Sequence, residues 1–244
     1  MILEDWKLEP ARDRDLSNMD RYRSPRRESG LVESVMRLLW WIMLRSTFRT
    51  WNRLKVVGRE HLPAQPSFVI VANHTSHLDA PLLTSILPLC WRDQTFPIAA
   101  RDVFFERLSL AAFSAVFVNA FPVNRGTTGR LGLAEVRERL LREPSILILF
   151  PEGTRSRSGA MNSFKSGIGM LVAGTSIPVV PCYLRGAFGA LPPSNWFVRP
   201  VRLSICIAPP LIFSELGNTR VGWDICAQQL QQALQELRDS DKCY

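Results

Sequence analysis

Three short apolar runs, two of them leading straight into polar clusters, constrain this 244-residue chain most. They are Ser67 to Ala72 (SFVIVA), Ser145 to Phe150 (SILILF) and Pro178 to Leu184 (PVVPCYL). Unbroken runs of this length read as strands covered on both faces, the kind found in parallel sheets. Phe96 to Ala100, the end of Val116 to Val123, and the alternating Val201 to Ile207 add further strands. Helical spacing occurs over Asp79 to Leu87, Gly129 to Arg142 and Trp223 to Leu237. Strands alternating with helices predict an α/β fold: a mixed, mostly parallel sheet flanked by helices.

The chain divides into three parts on composition. Residues 1–30 are polar and read as a mobile tail. Residues 31–53 read as an amphipathic, membrane-associating segment, and residues 54–244 as the α/β domain. From Arg21 to Glu60 there are ten bases against three acids. The apolar run Leu38 to Leu44 lies inside that stretch, bracketed by Arg37 and Arg45 and containing the pair Trp40-Trp41. It is far short of the ~20 residues needed to span a bilayer. Tryptophans flanked by arginines suit a helix lying in the headgroup layer; a buried N-terminal helix of the domain is the alternative. No apolar secretory segment follows the acidic start, Glu4 and Asp5. The five cysteines are scattered and never in a C-x-x-C pair, which argues against a disulfide framework and fits a reducing compartment.

A net charge of +8 favours anionic partners: nucleic acid, anionic lipid or phosphorylated substrates. No zinc-finger, RRM or basic-zipper pattern is present, so nucleic acid is not expected as a partner.

The chemistry sits where strands end. The first strand runs into Asn73-His74-Thr75-Ser76-His77-Leu78-Asp79. His74 and Asp79 are five apart and do not share a helical face. They can meet if His74 lies in the strand-to-helix turn, and Asp79 then orients the ring so that its other nitrogen acts as a base. With only His61, His74 and His77 in the chain, no usual ligand set completes a metal site, and neither metal nor cofactor is expected. No G-x-S-x-G elbow is present. The second strand leads into Pro151-Glu152-Gly153-Thr154-Arg155-Ser156, where arginine, hydroxyls and backbone N–H groups suit a phosphate. Lys165 and Gly167 open the next helix. Phe121-Pro122-Val123-Asn124-Arg125 delivers a further arginine at a strand end, and Pro178-Val179-Val180-Pro181 is apolar without chemistry of its own.

Taken in order, these four blocks resemble those of the glycerolipid acyltransferase family, over roughly Leu54 to Pro210. The resemblance implies that His74 is the general base and Asp79 its orienting partner. It implies acceptor and phosphate binding by Arg125, Glu152, Gly153, Thr154 and Arg155, and an acyl groove formed by Pro178, Val179, Val180 and Pro181. The implied reaction passes a fatty acyl group from acyl carrier protein or coenzyme A to a lysophospholipid. It would take place at the cytoplasmic face of a membrane, in a peripheral or monotopic protein. Another phosphorylated or lyso-lipid acceptor, thioester hydrolysis, and a non-catalytic membrane-binding module remain alternatives at this stage.

Overall fold

A computed structural model describes residues 13, 15–24, 27–123, 129–192, 195 and 197–240. Among them, seven strands form one sheet: β1 (Lys55–Val57), β2 (Phe68–Ala72), β3 (Thr95–Ala100), β4 (Phe121–Val123), β5 (Ile146–Leu149), β6 (Val179–Arg185) and β7 (Ser204–Ile207). The helices are α1 (Asn18–Arg23), α2 (Leu31–Thr50), α3 (Asp79–Ser85), α4 (Arg101–Phe104), α5 (Leu108–Val116), α6 (Gly129–Arg142), α7 (Gly167–Val172), α8 (Ala187–Ala190) and α9 (Arg220–Asp239).

The spatial order is β1-β7-β6-β2-β5-β3-β4. Strands β6, β2, β5, β3 and β4 run parallel. Strand β7 is antiparallel to β6, and β1 follows β7. The mixed, mostly parallel sheet expected from the sequence is therefore present. Every residue of β2 is buried, as a central strand covered on both faces requires. Successive residues of β2 feed two cores. Phe68, Ile70 and Ala72 pack with α2 and α3, while Val69 and Val71 pack with α6, α7 and α9. Gly169 lets α7 close onto α9, since a Cβ there would fall 2.2 Å from the Trp223 Cα.

Two sequence expectations meet a different arrangement. Within the stretch read as a polar tail, Asn18–Arg23 is helical, and Arg23 Nε donates to the Phe105 carbonyl at 2.8 Å. Arg37 and Arg45 of α2 do not reach outward to headgroups. Arg37 is fully buried. Its Nε donates to Val116 O at 2.8 Å, its Nη2 to Ala115 O at 3.2 Å, and its Nη1 to Asp93 at 2.7 Å. Arg45 likewise donates to the Ser85 and Leu87 carbonyls at the end of α3. Helix C-termini leave carbonyls without intrahelical donors, and these two arginines supply them. The inward stripe of α2 is Arg37, Trp41, Leu44 and Phe48. Its outward stripe, including Leu31, Val35, Leu39, Ile42 and Met43, is aliphatic and exposed. Trp40 joins α2 to α5 through edge contacts with Phe113 and Phe117, and α5 exposes Leu108, Leu110 and Phe113.

Cys90, Cys182 and Cys226 are free thiols, while Cys206 is disulfide-bonded.

The Arg37→Met chain should lose about 3 kcal/mol of stability, because several buried carbonyls lose their donor at once. Urea unfolding measures this. An unchanged midpoint would mean that Arg37 does not lock α2 to α5.

Candidate active site

Strands β2 and β5 pair in register, Val71 opposite Leu149, so their C-terminal ends lie side by side. The two polar turns that follow therefore touch. The Ser156 N–H donates to the His74 carbonyl at 2.8 Å, and the His74 N–H donates to Glu152 Oε1 at 2.7 Å.

His74 and Asp79 meet as their spacing anticipates. His74 Nδ1 lies 2.9 Å from Asp79 Oδ2. A carboxylate partner assigns the proton to Nδ1 and leaves Nε2 with its lone pair. The same Asp79 oxygen accepts the Thr75 N–H at 2.6 Å and the Ser76 N–H at 2.8 Å. Asp79 is fully buried, whereas the His74 side chain keeps 22% of its surface. The imidazole stacks on Phe150 with ring centroids 4.2 Å apart and planes 16° from parallel. Carboxylate and ring together fix the plane of the base and leave part of it open to solvent.

Glu152 is buried and has both oxygens engaged. Oε2 accepts the Asn162 backbone N–H and side-chain amide, each at 2.9 Å. Burial raises its carboxyl above the ordinary value, and those hydrogen bonds work in the opposite direction. Gly153 has φ +73° and closes a turn through its N–H to the Phe150 carbonyl. A Cβ there would also fall 2.8 Å from Lys165 Nζ, so the lysine lies across the turn. Thr154 is exposed. Arg155 is partly buried, and its Nη1 has no hydrogen-bond partner among the described residues. Desolvation lowers its pKa, with Asp79 opposing that shift.

Arg125 lies outside the described residues. Pro178, Val179, Val180 and Pro181 are not brought to this edge. Val179 and Val180 are fully buried and pair with Val69 and Ile70, in the interior of the sheet. Three contributors escaped sequence reasoning. Asn162 holds Glu152. Asn73 bridges β2 to β6, its amide donating to Leu184 O at 3.1 Å and its Oδ1 accepting the Leu184 N–H at 2.8 Å. Phe150 supplies the stacking face. Asn73 and Phe150 carried a signal, the first as the opening of the histidine block and the second as an aromatic ending a strand beside it, whereas Asn162 carried none.

A histidine held by a buried carboxylate, beside an arginine-bearing turn at the C-terminal edge of a mostly parallel sheet, is an arrangement suited to acid–base group transfer. Residues 53–185 match the Acyltransferase family, and the chain belongs to it. The chain is similar to the mouse 1-acyl-sn-glycerol-3-phosphate acyltransferase alpha, 27% identical over 72% of this chain and 61% of that one. The human protein of that name is 30% identical over 60% of this chain and 50% of that one. The chain thus spans about half to three-fifths of these relatives' length. Its fold is similar to the crystal structure of the 1-acyl-sn-glycerophosphate (LPA) acyltransferase, PlsC, from Thermotoga maritima. That likeness has a TM-score of 0.62 and 24% identity, over 83% of this chain and 80% of that one.

His77 offers a pH test. It is exposed as a residue, yet desolvation of its ring, then Arg155 and His74, push its pKa down to about 4. In the unfolded chain it titrates near 6.5. Its contribution to stability is therefore fully present above pH 6.5 and is lost as pH falls from there toward 4. NMR titration should find His77 neutral at pH 5, and His77→Gln should flatten the loss of stability across that window. A midpoint near 6.5 would remove this account.

Proposed function

We propose that the chain transfers a fatty acyl group from an acyl thioester to the sn-2 hydroxyl of a 1-acyl-glycerol-3-phosphate, forming phosphatidate. The observation that carries this reading is the His74–Asp79 pair beside the Arg155 turn. His74 Nε2 takes the proton of the acceptor hydroxyl as its oxygen attacks the thioester carbonyl. The tetrahedral intermediate then collapses, the C–S bond breaks, and the leaving thiolate takes the proton back from Nε2. Asp79 keeps the ring in the required tautomer and stabilises the imidazolium formed on the way. No acyl-enzyme is needed.

The acceptor phosphate is assigned to Arg155 and Arg125, with Gly153 and Thr154 in the Arg155 turn and Lys165 lying across it. Arginine suits this role because its planar fork matches phosphate oxygens. Glu152 acts here by holding the His74 backbone, and Pro178 to Pro181 by supporting the strand next to β2. The relatives' names point to this acceptor. Acyl-coenzyme A and acyl carrier protein both supply a suitable thioester.

Thiol release from an acyl thioester, with and without lysophosphatidate, tests the reading. Release should require the acceptor and yield phosphatidate. His74→Ala should lower it by about 10²- to 10⁴-fold. Release without acceptor would mean hydrolysis, and release only with another lyso-lipid would change the acceptor.

We also propose that the chain works as a peripheral or monotopic protein on the cytoplasmic membrane surface, where such thioesters occur. No helix among the described residues is long and apolar enough to cross a membrane. The aliphatic outer faces of α2 and α5 support a surface mode, since a large exposed apolar patch marks a contact with lipid or protein. Replacing Leu39 and Met43 together with glutamine, which removes apolar surface without adding charge, should weaken co-sedimentation with lipid vesicles without changing the thermal midpoint. Undiminished sedimentation would exclude these faces as the docking surface.

A further inference from the structure

Glu152 fixes the His74 backbone firmly only if its second oxygen is held as well, and Asn162 holds that oxygen from a long loop. Residues 150–166, between β5 and α7, contain no helix or strand. A loop longer than ~15 residues without regular structure is uncommon in a compact domain and commonly serves a function. The Lys165 N–H donates to the Pro151 carbonyl at 2.9 Å and closes the loop onto its own start. Asn162 gives both its backbone N–H and its side-chain amide to Glu152 Oε2. Between these two anchors, the Phe164 N–H donates to Gln231 Oε1 at 2.8 Å.

Gln231 lies on α9, 67 positions further along the chain. That helix is a fixed support. Its Leu230 and Leu234 are fully buried, and its Trp223 closes onto Gly169 of α7. Phe164 is half-buried and packs against the same core as Leu230 and Leu234. Its side chain and its N–H therefore both tie the loop to α9. Gln231 also lines a cavity of about 490 Å³ with Phe164, Gln228, Gln232 and Gln235. Room beside the loop means that packing alone does not confine it there, which leaves the hydrogen bond to do so.

A path of bonded steps results. It runs from Gln231 to the Phe164 N–H, two residues back to Asn162, from Asn162 to Glu152 Oε2, and from Glu152 Oε1 to the His74 N–H at 2.7 Å. We propose that Gln231 is a positioning residue for the His74 base. It acts through Asn162 and Glu152. The inference rests on the transferase reading above and adds the helix from which the base is braced. Asp79 sets the tautomer of the ring, and Gln231 sets where the backbone carrying the ring sits. Misplacing a reacting group by about 1 Å can cost about 10²-fold in rate.

Gln231→Leu removes the acceptor and keeps most of the bulk, while Gln231→Glu keeps an acceptor oxygen. Amide hydrogen exchange by NMR reads the path without turnover. In Gln231→Leu the His74 and Asn162 N–H groups should exchange about tenfold faster. Thr75 and Ser76, which Asp79 holds, should keep their native rates. In the thiol-release assay, kcat should fall about tenfold with the KM for lysophosphatidate within about twofold of native. Gln231→Glu should restore both readouts. Asn162→Ala should lower kcat as well, and Asn162→Ala/Gln231→Leu should be no slower than the slower single variant, because both changes cut one path. Exchange at His74 that is unchanged, or faster only together with Thr75 and Ser76, overturns the proposal. A loss confined to KM, no rescue by glutamate, or an additive loss in the double variant also overturns it. Faster His74 exchange in a chain that transfers no acyl group means the transferase reading fails, whereas native kcat in Gln231→Leu means the brace does.

Discussion

One carboxylate oxygen organises the centre of this protein. Asp79 Oδ2 is buried and receives the Thr75 N–H, the Ser76 N–H and the His74 ring N–H, all within 2.9 Å. Removing a carboxylate from water is costly unless hydrogen bonds replace its hydration, and bonds to an ionised acceptor are the strong kind. Here the replacement donors belong to the turn that must be shaped. The same contacts that make burial of Asp79 tolerable fold residues 74–79 and start α3. The negative charge also falls in the first turn of that helix, where the helix dipole favours it. The histidine is oriented by a group the fold already needs.

The turn would still be loose if only its own residues held it. Glu152 reaches across from the neighbouring strand end to take the His74 backbone N–H, and Ser156 returns a bond to the His74 carbonyl. Register between β2 and β5 makes both contacts possible. The loop beyond Glu152 then doubles back, so that Asn162 holds the second Glu152 oxygen. His74, Asp79, Glu152 and Arg155 thus hang on two adjacent parallel strands. A shift of either strand by one residue would carry its side chains to the other face and separate them.

The central strands and the histidine–aspartate pair were legible in the sequence because unbroken apolar runs and short-range spacing are local signals. What stayed hidden depends on contacts between distant segments. Strand β1 is three residues long and exists through its pairing with β7. Asn162 carries no motif, and its role arises only when its loop returns to Glu152. Asn73 was visible as part of a block, but its bridge to Leu184 spans 111 positions. The apolar block Pro178 to Pro181 carries no chemistry of its own, and its groove was implied only by the resemblance; Val179 and Val180 are fully buried within the sheet.

Helix α2 shows why hydrophobicity alone could not settle orientation. Both of its stripes are rich in apolar residues, and the one containing Arg37 turns inward. A rule that sends charge outward gives the wrong face. The deciding term is the set of carbonyls at the end of α5, Ala115 and Val116, which a buried guanidinium can satisfy and an aliphatic side chain cannot. Arg45 repeats the arrangement at the end of α3, the helix that Asp79 begins. With these two arginines spent on the interior, the outer stripe is left aliphatic. Attachment of α2 to the sheet domain and exposure of its aliphatic stripe therefore follow from one choice of helix rotation. Any contact made by the outer stripe would be coupled through Arg45 to the helix that begins with Asp79.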